Sequence, residues 1–103
     1  MSSWDYYQAK SENGRLIDDP SEDAIYIMLG ELRFPDNTFL VIEQPEHNSS
    51  WYVVISVLDP DGYEVEFKDG VRGIHRLFSE VDQGVVVKEV TIWLAQAYRF
   101  HSA

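Results

Sequence analysis

Two spacings of apolar residues along the chain predict its helices and strands. Strict alternation over Tyr63-Glu64-Val65-Glu66-Phe67 predicts a strand with one buried and one exposed face. A 3.6-residue apolar period predicts a first helix that begins at Asp19 or Ser21 and a second that begins near Asp82. The predicted buried stripes are Ile25, Met28, Leu29 and Leu32 in the first helix, and Val86, Val90, Trp93, Leu94 and Ala97 in the second.

Turn sequences separate the predicted strands. Asn13-Gly14 predicts a hairpin between a strand over 4–10 and a short return over 15–17. Apolar runs predict three further strands, over 38–43, 51–58 and 72–78, beside the alternating strand. The expected fold class is α+β: an N-terminal hairpin, a helix, a β-meander and a C-terminal helix. The antiparallel sheet should have four to six strands, with both helices packed on one face.

Turn length predicts which residues face each other in the meander. A three-residue loop Pro60-Asp61-Gly62 would pair Asp59 with Tyr63. The residues then expected on the core face are Trp51, Val53, Ile55, Val57, Tyr63, Val65 and Phe67. Those expected on the opposite face are Tyr52, Val54, Ser56, Leu58, Glu64 and Glu66, a mixture of apolar and acidic side chains.

The following hairpin has two alternative registers. A two-residue loop at Asp69-Gly70 places His75 opposite Glu64. A three-residue loop that begins one residue earlier places Arg72 opposite Glu66. The first register leaves an acidic sheet face, and the second neutralises that face with ion pairs.

Composition sets the class of protein. The 103 residues are expected to form a single domain over 1–103, and 45% hydrophobic content excludes intrinsic disorder. There is no Cys, so disulfides and thiolate sites are excluded. The sequence has no apolar run long enough for a membrane span and no basic-then-apolar leader at its N-terminus. A cytoplasmic location without membrane binding is therefore expected.

Charge is distributed unevenly along the chain. The formal net charge is −10, and residues 1–66 carry 14 Asp and Glu against only Lys10, Arg15 and Arg33. Residues 67–103 have a net charge of +1. An acidic surface repels nucleic acid and attracts basic partners. We therefore expect a protein partner and no direct binding of nucleic acid.

Candidate chemistry centres on one pair of carboxylates and one histidine. Glu64 and Glu66 point the same way about 7 Å apart, and His75 lies on a neighbouring predicted strand. No nucleophile motif, metal-ligand spacing or phosphate loop accompanies them. We predict no catalytic residue, metal or cofactor. The residues predicted to bind a partner are Tyr52, Asp59, Asp61, Glu64, Glu66 and His75.

Several local patterns resemble one family of proteins. They are Asp19-Pro20-Ser21, the run from Phe34-Pro35-Asp36-Asn37 to Glu43, Trp51-Tyr52-Val53-Val54, and Glu64-Val65-Glu66-Phe67-Lys68-Asp69-Gly70 followed by His75-Arg76. Over residues 18–98 the chain resembles small α+β immunity proteins of bacterial polymorphic toxin systems, including contact-dependent and type VI systems. The similarity is strongest to the short kind common in actinobacteria.

The resemblance implies a function and leaves alternatives. It implies an inhibitor without cofactor that binds one toxin domain, expected to be basic, and occludes its active site. Another acidic binding protein, such as a nucleic-acid mimic or a secretion chaperone, fits the same charge. A small enzyme that uses Glu64, Glu66 and His75 is the third alternative. The oligomeric state, monomer or weak dimer, stays open.

Overall fold

The computed structural model describes residues 7–44 and 50–101. In chain order the elements are β1 (Gln8–Ser11), β2 (Leu16–Asp18), α1 (Glu22–Gly30), β3 (Phe39–Glu43), β4 (Trp51–Val57), β5 (Tyr63–Asp69), β6 (Ile74–Glu80) and α2 (Gln83–His101). The strands form one antiparallel sheet in the order β2-β1-β3-β4-β5-β6. The predicted α+β fold is confirmed. Residues 4–6 of the predicted first strand lie outside the described residues.

Side-chain caps start both helices. The Ala24 N–H donates to Ser21 Oγ over 3.1 Å, so Ser21 and not Asp19 caps α1. The Val85 N–H donates to Asp82 Oδ1 over 3.1 Å at the start of α2. Neither described helix is long and apolar enough to cross a membrane.

The core lies between the two helices and one face of the sheet. Every residue of the two predicted helical stripes is buried, and these residues form one cluster with the buried strand residues. Trp93 of α2 joins the layers, because its ring stacks on Phe67 with centroids 5.1 Å apart and lies 5.7 Å from the ring of Trp51. Both helices therefore cover the same sheet face, as predicted.

The β4–β5 register differs from the predicted pairing while its faces agree. Val57, and not Asp59, lies opposite Tyr63. The predicted loop Pro60-Asp61-Gly62 is displaced by one residue, because the Leu58 N–H donates to Gly62 O over 2.9 Å and the three residues enclosed are Asp59, Pro60 and Asp61. A shift by two residues leaves each side chain on its original face, so the predicted division between core and opposite faces holds.

The turn between β5 and β6 is longer than either predicted loop. Asp69 pairs with Ile74, so the turn contains four residues. His75 therefore lies opposite Lys68 and not opposite Glu64, as the two-residue loop predicted. That pairing is wrong.

The carboxylate of Asp69 explains this longer turn. It accepts hydrogen bonds from the N–H groups of Val71, over 3.1 Å, and Arg72, over 3.2 Å. Arg72 therefore lies within the turn, and its predicted pairing with Glu66 is also wrong. A turn organised by a side chain cannot be deduced from loop length alone.

Candidate functional site

The sheet face opposite the helices is the candidate site, and we call it the open face. It consists of alternate residues on all six strands, which the register places side by side. These residues are Gln8, Lys10, Leu16, Asp18, Phe39, Val41, Glu43, Tyr52, Val54, Ser56, Glu64, Glu66, Lys68, His75, Leu77 and Ser79. None of them is fully buried, whereas their neighbours along β4 and β5 belong to the core.

The middle of the open face is apolar. Val41 of β3 lies opposite Val54 of β4, and both side chains are half-buried, as are Phe39 and Tyr52 nearby. Carboxylates border this centre on β3 and β5. An apolar centre with a charged rim is the usual anatomy of a protein-binding surface.

Tyr52 lies between opposite charges. Its cross-strand neighbours are Glu43 on β3 and Lys68 on β5, and His75 on β6 lies beyond Lys68. The ring of a half-buried tyrosine offers apolar area, and its hydroxyl offers a hydrogen bond. Tyr52 therefore has the chemistry of an anchor residue.

Glu66 and His75 form a contact across the β5–β6 ladder. Glu66 Oε2 and His75 Nε2 lie 2.7 Å apart, although the two residues are diagonal and not directly opposite. The side chains remain 31% and 60% exposed, respectively. Water screens such a pair, so the contact contributes little to stability and is free to rearrange when a partner binds.

Glu64 lacks a cation directly opposite it. Its cross-strand neighbours are Ser56 on β4 and Ser79 on β6. Glu64 is exposed, and it lies two residues from Glu66 on the same face of β5. Together these carboxylates give the open face a negative stretch along β5, which a basic side chain could approach from solvent.

Asp59 and Asp61 lie apart from the other predicted site residues. Both are exposed in the loop that follows β4, whereas Tyr52 is near the start of that strand. A strand of this length separates the two groups by roughly 20 Å. The structure thus brings together Tyr52, Glu66 and His75. Glu64 lies opposite Ser56, between this group and the loop that contains the two aspartates.

The structure contains a buried ionic cluster that the sequence analysis did not predict. Asp69 is fully buried, and its Oδ2 lies 2.7 Å from both Arg72 Nε and His101 Nε2. Burial opposes ionisation of Asp69, but the hydrogen bonds from His101 and Arg72 outweigh it and hold the pKa of the carboxyl below its usual value. The guanidinium of Arg72 also lies over the rings of Trp93 and Phe100, 5.5 and 5.3 Å from their centroids.

This cluster joins the β5–β6 turn to the end of α2. His101 is the last residue of α2, and its side chain is only 9% exposed. Alternation along β5 could have revealed the cluster, because Asp69 has the same parity as the buried Val65 and Phe67. The cluster holds the fold together on the side of the sheet away from the open face.

The described part of the chain contains no cluster of side chains suited to binding a metal ion. Within residues 7–44 and 50–101, no group of three or more His, Asp or Glu side chains could hold a metal ion. His47 lies outside these residues. Comparisons with protein-family models, with curated proteins and with solved structures found no significant match, so any assignment of function rests on the geometry of the open face.

Proposed function

We propose that this protein binds and inhibits a basic partner protein, in the manner of the immunity proteins that its sequence resembles. The observation that carries the proposal is the open face, a half-buried apolar centre bordered by the carboxylates of Glu43, Glu64 and Glu66. The partner would be a toxin or effector domain. Binding would cover its active site and exclude its substrate, without chemistry by the inhibitor.

The apolar centre supports tight binding. Aromatic side chains that lose their remaining exposure in an interface contribute much of the binding energy, while a surrounding rim excludes water. Tyr52 and Val54 are already half-buried, so they are held in place before a partner arrives. Little conformational entropy then remains to be lost on binding.

The charges support a basic partner. Glu66 has Lys68 and His75 nearby, whereas neither Glu43 nor Glu64 has a cation directly opposite it. A lysine or arginine of the partner would therefore find its strongest attraction at Glu43 or Glu64. The net charge of −10 would also accelerate encounter with a basic surface.

One observation favours proton-transfer catalysis as a second candidate. The 2.7 Å contact between Glu66 and His75 is the geometry of an acid–base pair. His75 is 60% exposed, however, and a catalytic pair gains most of its effect where water is excluded and a substrate is positioned. The exposure of this pair makes binding the better supported function.

Co-expression with a candidate toxin tests the proposal. The candidate is the C-terminal domain encoded by the gene immediately upstream, produced in a bacterial host with and without this protein. We expect growth arrest by the domain alone, rescue by co-expression, and a one-to-one complex of the purified proteins. The association rate should fall as salt rises toward physiological strength, where the Debye length is about 8 Å.

The same experiment separates inhibition from the alternatives. A nucleic-acid mimic would protect the host from any protein that binds nucleic acid, so an unrelated nuclease domain is the control toxin. A secretion chaperone would bind an unfolded segment and leave the folded domain active. Growth arrest that persists beside folded, abundant protein, with no complex in vitro, would contradict the proposed function.

A further inference from the structure

The outer edge of β6 differs from the opposite edge of the sheet. β6 and β2 are the edge strands, and no other described strand pairs with the outer side of β6. β2 has three residues, whereas β6 has seven and contains neither proline nor lysine. Short length, proline and charged side chains, above all lysine, usually protect an edge from pairing with another chain. β6 is long, has neither proline nor lysine, and its two charges, Arg76 and Glu80, are of opposite sign.

The hydrogen-bond ladder shows which backbone groups face outward. The Gly70 N–H donates to Ser50 O, and the Leu58 N–H donates to Gly62 O, so even-numbered residues of β5 bond to β4. Odd-numbered residues of β5 therefore bond to β6, where their partners are even-numbered. The N–H and C=O groups of the remaining residues of β6, which are His75, Leu77 and Ser79, consequently point away from the sheet.

We propose that β6 pairs with β6 of a second copy of this chain, antiparallel and about a two-fold axis at Leu77. This register places Leu77 opposite Leu77 of the second copy, and His75 opposite Ser79 of the second copy. All pairs formed by the outward-facing residues are then hydrogen-bonded pairs, as an antiparallel ladder requires. The strand is symmetric about this point, because Leu77 is the central residue of Ile74–Glu80.

In the proposed pairing, the side chains of β6 complement those of β6 in the second copy. Leu77 is 60% exposed, and pairing about the axis covers it with the same residue of the second copy. Arg76 would face Phe78 of the second copy, with Glu80 of that copy diagonally adjacent on the same sheet face. Arg76 and Glu80 give β6 no net charge when His75 is neutral. Two copies can thus meet here although each carries a charge of −10.

The proposed pairing stops at two copies and leaves the open face accessible to a partner protein. A two-fold axis uses the β6 edge of both copies, so the described strands of the dimer form one twelve-stranded sheet with the three-residue β2 at each edge. The axis is perpendicular to the sheet, so both open faces lie on the same side. Residues Leu77 and His75 lie at the centre of this doubled surface. The dimer does not depend on the proposed inhibitory function.

Molar mass as a function of concentration tests the dimer. Light scattering or sedimentation from about 10 μM to about 1 mM, the range of weak association, should show a rise from 11.9 kDa toward twice that mass. Leu77→Pro removes an outward-facing N–H and the exposed leucine side chain but no hydrogen bond to β5, so it should leave a folded monomer throughout. Leu77→Lys should also be monomeric. Leu16→Lys, the matched control, changes the leucine at the opposite end of the same cross-strand row and should dimerise normally.

Hydrogen exchange gives a second readout at single residues. The amides of Arg76 and Phe78 bond to β5 and should exchange slowly at every concentration. The amides of His75, Leu77 and Ser79 should exchange fast when dilute and become protected as the dimer forms. A wild-type protein of 11.9 kDa over the whole range would overturn the proposal and leave the edge for a strand of another protein. A dimer that persists in Leu77→Lys would overturn it equally, and this variant decides the matter if Leu77→Pro fails to fold.

Discussion

Asp69 Oδ2 and His101 Nε2 lie 2.7 Å apart, which fastens the last residue of α2 to the end of β5. The same oxygen accepts a hydrogen bond from Arg72 Nε over 2.7 Å. A buried carboxylate is tolerated only when it is paired and hydrogen-bonded, and Asp69 meets both conditions. The position of the C-terminal turn of α2 on the sheet therefore depends on one ionised side chain.

Removal of the Asp69 carboxylate should destabilise the fold strongly. Asp69→Ala leaves Arg72 and His101 without their shared partner, and breaking a buried ion pair in this way costs about 3 kcal/mol or more. Urea denaturation measures the free energy of unfolding. Asp61→Ala is the control at an exposed aspartate and should change it by less than about 0.5 kcal/mol. Equal effects of the two substitutions would contradict the structural role of Asp69.

The same group should control stability in acid. The pKa of Asp69 is lower in the folded protein than in the unfolded chain, so its contribution is complete above the unfolded pKa, about 3.9, and is lost as pH falls through the folded pKa. The free energy of unfolding should thus decrease steadily below about pH 4. Asp69→Asn cannot titrate and should show a shallower decrease over that window. Parallel acid curves for the two proteins would contradict the prediction.

Charge reversal distinguishes the open face from the β4–β5 loop. Glu64→Lys with Glu66→Lys should weaken binding to the cognate partner by roughly 2–4 kcal/mol if both carboxylates meet cations there. Asp59→Lys with Asp61→Lys makes the same change in net charge at the far end of the sheet and should weaken binding much less. Calorimetry measures both affinities, and thermal unfolding should show little change in either variant because all four residues lie at the surface. A larger loss in the loop variant would move the binding surface to the loop.

Substitution of His75 separates binding from catalysis. His75→Gln keeps the hydrogen-bonding capacity toward Glu66 but cannot titrate, so we expect inhibition of the partner to survive. Its contact is exposed, so the free energy of unfolding should change by less than about 1 kcal/mol. A turnover by the purified protein that disappears in this folded variant would instead establish the acid–base enzyme.

The local pattern of apolar residues predicted the helices, the strands and their buried faces correctly. It did not predict the turns. The apolar period of α2 predicted five of its six buried residues and missed Val87, since burial of one helical stripe depends mainly on spacing. Strand registers were wrong because hydrogen bonds within the loops determined where the first turn closes, at Leu58, and how many residues the second contains, at Asp69. The contact of His75 with Glu66, where one of the two predicted registers placed Glu64, follows from the longer turn.

The amino-acid sequence by itself determined the fold class, the helical stripes and the division of the sheet into a core face and an open face. These properties depend on the period of apolar residues, which a register shift by two leaves unchanged. Tertiary structure alone decided that Asp69, Arg72 and His101 form a buried cluster, that Asp59 and Asp61 lie far from Tyr52, and that β6 is an edge. Such relationships join residues distant in sequence, because strand order and the packing of α2 follow from how the whole chain buries its apolar surface.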